Sequence, residues 1–265
     1  MAKVDDTSRL DTEEDLQSLI FHARDELAQQ FKDHAWDPQK SYENLAQIVE
    51  NRFGFQFDLS LHSVHWLLFS ALSQVGIQGP ILEIGTHRGE ATRLLSEFFP
   101  ETKITTIDLP GDDPSDLKDI DMAQQIEREH FVAARERNLD HPNIRFIECN
   151  SFYLPDLGLP PAGLIWVDGD HHYPQVAWDI SNALRQLLPG GYLFCDDIEF
   201  GPRDDEMFTN VAGGQIVTHL RDHLGYEVSL FPKRLNAVSL LNGRQKCKYV
   251  AMIRNDSRGS KAQAP

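Results

Sequence analysis

Short apolar runs alternate with stretches of helical periodicity from about residue 80 onward. Seven of these runs are predicted to be strands, at residues 80–85, 103–108, 144–149, 164–169, 191–196, 226–231 and 248–254. Helical patterns follow the first, second, fourth and fifth strands, and none lies between the last two. The alternation is typical of an α/β protein with a doubly wound, mostly parallel seven-stranded sheet, and the missing helix predicts that the last two strands are antiparallel.

The pattern ahead of the first strand is helical. Apolar residues recur at helical spacing from Leu16 to Leu27 and again from Leu45 to Val49. We therefore predict an N-terminal helical extension or cap over residues 1–75, a catalytic domain over residues 76–254 and a disordered tail over residues 255–265. The helices can cap the sheet, contact substrate or only pack, and the sequence leaves these alternatives open.

Four aspartates follow two consecutive strands. Asp168 and Asp170 come after one buried run, and Asp196 and Asp197 come after the next. The segment between the runs, residues 174–191, is predicted to be a helix closed by Pro-Gly-Gly. This helix makes the strands parallel, so both pairs are expected at the carboxyl edge where open α/β sheets bind ligands. Clustered carboxylates repel unless a cation lies among them, and an all-oxygen site suits Mg²⁺ better than zinc. The alternative is that these aspartates are solvated loop ends.

The composition argues against several classes of partner and site. A net charge of −16 argues against nucleic acid as a partner, because phosphate binding needs a basic surface. The three cysteines form no CxxC motif, so neither a disulfide framework nor a zinc ribbon is indicated. We find neither a signal-peptide pattern at the N-terminus nor an apolar stretch long enough to span a bilayer, and we expect a cytoplasmic protein without a membrane partner. Whether the chain forms a homo-oligomer is left open.

The first strand ends in a glycine-rich turn that leads directly into a helix. Gly85 and Gly89 permit a sharp turn, and the helix N-terminus offers free amide groups. Asp108 ends the second strand, where a carboxylate can accept both ribose hydroxyls of a nucleoside. His87 stands where a G-x-G-x-x-G motif would have its second glycine, which argues against a nicotinamide-dependent oxidoreductase. A nucleoside cofactor other than a dinucleotide is predicted.

These residues support a family resemblance across residues 80 to about 253. Glu83, Gly85 and Gly89 form an E-x-G-x-x-x-G pattern that resembles motif I of class I S-adenosylmethionine-dependent methyltransferases, and Asp108 resembles the ribose acid of that family. Residues 149–151 stand where the family contacts adenine. The resemblance implies a Rossmann-like methyltransferase fold and S-adenosylmethionine as cofactor. The cofactor-binding residues that it implies are Glu83, Gly85, Thr86, Gly89, Asp108, Asn150 and Ser151.

The acidic clusters indicate which branch of the methyltransferase family the chain resembles. Asp168, Asp196 and Asp197 resemble the Mg²⁺ or other divalent-metal ligands of catechol-type O-methyltransferases and, more closely, of antibiotic sugar O-methyltransferases. The catechol branch usually has Asp-Asn in the second cluster and a lysine where this chain has His171. The resemblance implies Mg²⁺-dependent methyl transfer to a hydroxyl of a small molecule, a natural-product sugar. The alternatives are a catechol or phenol acceptor, or a non-catalytic binding protein with this fold.

Two adjacent residues are candidates for the general base that deprotonates the acceptor, Asp170 and His171. Because Pro174 can occupy the first turn of a helix, residues 169–172 are predicted to be loop. If the chain there is extended, Asp170 lies on the same side as Asp168 and His171 points away. The sequence therefore favours Asp170 slightly. Two other histidines are reserve candidates, His87 and His172.

Overall fold

The chain folds around one large sheet with helices on both faces. The computed structural model describes residues 13–110, 122–200, 211–234, 239–241, 244–246 and 248–254. The predicted tail, residues 255–265, lies outside the described residues. The strands are β1 (Ile81–Ile84), β2 (Ile104–Asp108), β3 (Ile144–Glu148), β4 (Ala162–Val167), β5 (Leu187–Ile198), β6 (Glu227–Pro232), β7 (Ser239–Leu241), β8 (Arg244–Lys246) and β9 (Tyr249–Arg254).

The helices fill the connections that the periodicity predicts. They are α1 (Glu13–Asp33), α2 (Pro38–Ile48), α3 (His65–Val75), α4 (Glu90–Phe98), α5 (Met122–Leu139), α6 (Gln175–Gln186) and α7 (Val211–Asp222). A π-helical turn (Val49–Phe53) extends α2, and a 3₁₀ helix (Ser151–Leu157) follows β3. None of the helices in the described part of the chain is long and apolar enough to cross a membrane.

The predicted fold class is confirmed by the strand order. The large sheet runs β3-β2-β1-β4-β5-β9-β6, with β1 to β5 parallel. Strand β9 lies between β5 and β6 and is antiparallel to both, so the antiparallel pairing predicted for the last strands is also confirmed. The structure adds a small antiparallel pair, β7 with β8, that the sequence pattern did not predict.

Apolar residues on both faces of the central strands explain why helices cover both sides. All residues of β1 and β4 are buried, as is typical of parallel strands between two helical layers. Trp166 and Phe194 point to the face covered by the N-terminal helices, where they share a core with Phe69. Ile165 and Leu193 point to the opposite face, under α6 and α7. The N-terminal helices thus pack on the sheet, while the predicted domain boundary after residue 75 stays a prediction.

One predicted helix end is wrong. The sequence pattern extends the helix before β5 through Leu188 to Pro-Gly-Gly, but α6 ends at Gln186 and Leu187 already has extended backbone angles. Leu187 pairs with Ala162 of β4, and a register shift follows in this pair of strands. The pairing with β4 therefore outweighs the helical propensity of the two leucines, and the Pro-Gly-Gly segment lies within β5.

Candidate functional site

Parallel strand ends and one antiparallel strand bring charged side chains together at one edge of the sheet. Asp168 follows β4, and Asp196 and Asp197 lie near the end of β5. Lys233 follows β6 and Lys248 precedes β9; the Lys233 amide donates to the Lys248 carbonyl at 2.8 Å. Because β9 runs antiparallel to its neighbours, its beginning meets the ends of β5 and β6. Three aspartates and two ammonium groups therefore share this edge, and the buried Glu199 lies beside them with its Oε1 3.4 Å from Lys248 Nζ.

The charged groups are within contact distance. The Nζ of Lys233 lies 2.6 Å from Asp196 Oδ2 and also donates to Asp197 Oδ1. The Nζ of Lys248 lies 2.5 Å from Asp197 Oδ2. The Nε2 of His171 lies 3.5 Å from Asp168 Oδ1 and 3.9 Å from Asp197 Oδ2. We call these six side chains, which are those of Asp168, His171, Asp196, Asp197, Lys233 and Lys248, the charged cluster.

Burial and neighbouring charges shift the pKa values of Asp168, His171 and Asp197. Burial raises the pKa of Asp168 to about 7, and the charge of Asp196 adds to this effect. Burial also raises the pKa of Asp197, but the charge and hydrogen bond of Lys233 outweigh it and hold that pKa well below its usual range. Burial lowers the pKa of His171, but its interactions with Asp168 and the charge of Asp197 outweigh it, so the pKa is raised. The His171 ring is therefore suited to accept a proton.

The predicted metal ligands meet as expected, but lysines already contact them. Both Asp197 oxygens contact an ammonium group, and Asp196 Oδ2 contacts Lys233. Asp196 Oδ1 is buried and has no hydrogen-bond partner among the described residues. Within the same residues, no group of three or more His, Cys, Asp or Glu side chains is arranged to hold a metal ion. The donor types suit Mg²⁺, but the residues as arranged do not fit a divalent cation.

The two candidate bases have different surroundings. Asp170 Oδ1 accepts a hydrogen bond from the His172 amide at 2.9 Å and lies 2.7 Å from His172 Nδ1. The Asp170 and His172 side chains are 56% and 66% exposed, whereas that of His171 is 24% exposed. The Asp170–His172 contact turns the Asp170 carboxylate toward its own loop, so His171 faces the charged cluster and Asp170 does not.

The glycine-rich turn after β1 is the segment that the resemblance assigns to the cofactor. Gly85 has φ +97°, and a Cβ there would come within 2.1 Å of the Asp168 carbonyl oxygen, so no side chain fits. Gly89 is the N-cap of α4 with φ +76°. The turn therefore passes against β4 beside the charged cluster and leaves the amides of the first turn of α4 available to a ligand.

Asp108 lies at the end of β2, next to this turn. Its Oδ2 accepts the His87 amide at 2.5 Å, and its Oδ1 accepts the Leu109 amide at 2.8 Å. A carboxylate has about four acceptor positions, so two remain for a ligand such as a ribose diol. His87 has a left-handed backbone, with φ +49°, and its ring lies edge-on to Phe131. His87 therefore shapes the turn, and its ring packs against Phe131.

The segment after β3 is tied to α6. Asn150 Oδ1 accepts the Phe152 amide at 2.9 Å and caps the 3₁₀ helix. The Ser151 hydroxyl accepts from Gln175 Nε2, and its carbonyl oxygen accepts from Trp178 Nε1 at 3.2 Å. The Phe152 and Trp178 rings lie 5.6 Å apart and are partly exposed. This polar and aromatic surface suits the adenine position that the resemblance assigns to residues 149–151, and that assignment stays a prediction.

Glu83, the first of the predicted cofactor residues, is fully buried. The Thr92 hydroxyl donates to Glu83 Oε2, and Glu83 Oε1 has no hydrogen-bond partner in the described part of the chain. Thr86 and Thr106 hydroxyls lie 2.5 Å apart nearby. Burial raises the pKa of Glu83 to about 8. The placement ties Glu83 to the first turn of α4, and a direct cofactor contact stays a prediction.

The raised pKa of Glu83 predicts a pH-dependent stability. The group contributes fully to stability below its unfolded pKa, near 4.5, and the contribution is lost as the pH rises toward about 8. Glu83→Gln should remove this loss, which cannot exceed about 1.4 kcal/mol per pH unit. Urea unfolding at pH values from 5 to 8 measures it, with the exposed Glu101→Gln variant as control. Parallel curves for wild type and Glu83→Gln would contradict the shift.

Sequence reasoning missed the two lysines of the charged cluster. Lys248 begins the last predicted strand, and Lys233 follows the strand before it. Once that pair is antiparallel, the end of one strand and the start of the next lie at the same edge. The predicted antiparallel pairing brings Lys233 and Lys248 together. It does not place them beside the aspartates until β9 is known to pair with β5.

Comparisons with known proteins agree with this architecture. Residues 82–198 match the family described as "Methyltransferase domain". No curated protein matches the chain in sequence. The cofactor-bound protein Rv0187 from MTB is 16% identical with a TM-score of 0.52, covering 72% of this chain and 79% of its own. A Klebsiella pneumoniae protein named as an O-methyltransferase is 15% identical with a TM-score of 0.53, covering 83% and 91%. At this identity the likeness shows the fold.

Proposed function

We propose that this chain is a class I S-adenosylmethionine-dependent methyltransferase that transfers a methyl group to a hydroxyl oxygen of a small molecule. The match of residues 82–198 to the family described as "Methyltransferase domain" supports methyl transfer. The observation that carries the proposal is the position of His171. Its Nε2 lies 3.5 Å from Asp168, which follows β4, and Gly85 of the cofactor turn passes against the Asp168 carbonyl. A base and the predicted cofactor site are thus neighbours.

Each part of this edge has a distinct role. S-adenosylmethionine, when bound, supplies a methyl group that is already activated on a sulfonium. Gly85, Gly89 and Asp108 would hold its amino acid and ribose portions, and Asn150 and Ser151 would contact the adenine. His171 would take the acceptor proton, because the carboxylates of Asp168 and Asp197 stabilise the protonated ring. Asp170 remains the second candidate base, although its carboxylate faces His172.

The acceptor we propose is a sugar hydroxyl of a natural product. Support comes from the paired Asp196-Asp197 and from His171 three residues after Asp168, which separate this chain from the catechol pattern. A catechol or phenol acceptor is the alternative within O-methylation. Mg²⁺ was predicted from the same residues, but the residues as arranged do not fit a divalent cation.

Methyl transfer from labelled S-adenosylmethionine tests the proposal directly. The full chain is incubated with a panel containing 6-deoxysugar glycosides, catechol, phenol and a primary amine as control, and each product is analysed for the labelled methyl. We expect label on a glycoside oxygen. Faster labelling of catechol or phenol would favour the alternative acceptor, and labelling of the amine alone would contradict O-methylation.

Cofactor binding tests the alternative that the chain is a non-catalytic protein with this fold. Calorimetric titration of the full chain with S-adenosylmethionine should give saturable binding, because the Gly85 turn has no room for a side chain and the Asp108 carboxylate keeps acceptor positions for a ribose. Binding with no transfer to any acceptor would favour a binding protein with this fold. No binding at all would overturn the cofactor assignment.

A further inference from the structure

Lys233 is a buried lysine at the position where the sequence predicts a metal ion. Its side chain is only 12% exposed, and its Nζ lies 2.6 Å from Asp196 Oδ2 and also donates to Asp197 Oδ1. A lysine ammonium is strongly hydrated in water and is buried at a cost unless carboxylates or other acceptors replace its hydration. Asp196 and Asp197 supply those acceptors, so the lysine and the aspartates stabilise one another.

The backbone holds the lysines in this arrangement. The Lys233 amide donates to the Lys248 carbonyl oxygen at 2.8 Å, and the Val64 amide donates to the Lys233 carbonyl oxygen at 2.7 Å. Lys233 is therefore fixed between β9 and the start of α3. Its neighbour Lys248 places a second ammonium 2.5 Å from Asp197 Oδ2. Both oxygens of Asp197 are thereby engaged by lysines anchored in the sheet.

A divalent cation and these lysines compete for the same oxygens. Mg²⁺ requires ligand oxygens at about 2.0–2.1 Å in a near-octahedral arrangement. An ammonium group already in contact with both aspartates repels a second cation and occupies an acceptor position on one oxygen of each. Asp168, the third predicted ligand, is paired with His171 Nε2 at 3.5 Å.

We infer that the Lys233 ammonium is the resident cation of the charged cluster and takes the place of a divalent metal. Lys233 is a positioning residue: it holds Asp196 and Asp197 and presents a fixed positive charge at the edge where an acceptor oxygen would develop negative charge. This last role rests on the proposed function, whereas the identity of the cation does not. The site would then bind the hydroxyl oxygen of the methyl acceptor beside an ammonium group, with no metal ion between them.

Titration with Mn²⁺ tests the identity of the cation. Calorimetry and the electron paramagnetic resonance signal of free Mn²⁺ are followed on the full chain saturated with S-adenosylhomocysteine. Wild type should show no saturable binding at millimolar Mn²⁺. A variant with both Lys233→Met and Lys248→Met should gain a site for one Mn²⁺, because Asp196 and Asp197 then lack their ammonium partners and lie beside Asp168. Lys103→Met, which changes an exposed lysine, should behave as wild type.

Several results would contradict the inference that Lys233 is the resident cation. One equivalent of Mn²⁺ bound by wild type, and lost in Asp197→Asn, would overturn the inference, and this measurement needs no lysine variant to fold. A folded double variant that binds no Mn²⁺ would also overturn it. Methyl transfer to the best panel acceptor should persist in excess EDTA, and a metal requirement there would contradict it. Absence of transfer to every acceptor counts against the proposed function, while the Mn²⁺ result still decides the cation.

Discussion

Replacing His171 with glutamine should lower kcat for methyl transfer by about 10²-fold or more, the usual range for loss of a general base. Glutamine keeps a polar side chain of similar length but cannot take up a proton. His171 has its Nε2 near both Asp168 and Asp197, and its pKa is raised above the usual value, so the protonated ring is stabilised where the proton is needed. The rate is measured at saturating cofactor with the best acceptor from the panel.

The neighbouring histidine provides a matched control. His172→Gln changes the same residue type one position away, on a side chain that is 66% exposed and directed to Asp170. Its kcat should stay close to wild type, as should that of Asp170→Asn. Unchanged S-adenosylhomocysteine affinity in all three variants would show that the fold and cofactor site are intact. A large loss in Asp170→Asn with little loss in His171→Gln would restore the order that the sequence favours.

Replacing Asp108 with alanine should weaken binding of S-adenosylhomocysteine by roughly 10- to 150-fold. This range corresponds to about 1.5–3 kcal/mol, typical of hydrogen bonds to a charged group. In the structure the carboxylate accepts the His87 and Leu109 amides and keeps acceptor capacity for two ribose hydroxyls. Calorimetric titration gives the dissociation constant directly.

An exposed aspartate separates ribose binding from a general loss of negative charge. Asp140→Ala, just after α5, removes the same charge from the surface and should leave the affinity unchanged. Circular dichroism checks that Asp108→Ala keeps its secondary structure, because the variant also removes acceptors from two backbone amides. Equal affinities for Asp108→Ala and wild type would remove Asp108 from the cofactor site.

The parallel core and the site edge were predictable because local patterns and chain direction determine them. Continuous apolar runs such as residues 162–167 must be buried on both faces, and helices between such runs make them parallel. The aspartates that follow β4 and β5 then have to meet at one edge, as they do. The same reasoning placed Asp108 beside the turn at Gly85.

What the sequence left undecided depends on contacts between distant residues. Whether Asp170 or His171 faces the site depends on a hydrogen bond within a loop, from the His172 amide to Asp170. Hydrophobic periodicity does not predict such a bond. Lys233 contacts Asp196 across 37 positions in sequence, because β9 inserts between β5 and β6. The sequence by itself determined which strand ends carry the acids. Only the tertiary structure, through the antiparallel insertion of β9, decided that ammonium groups lie among them.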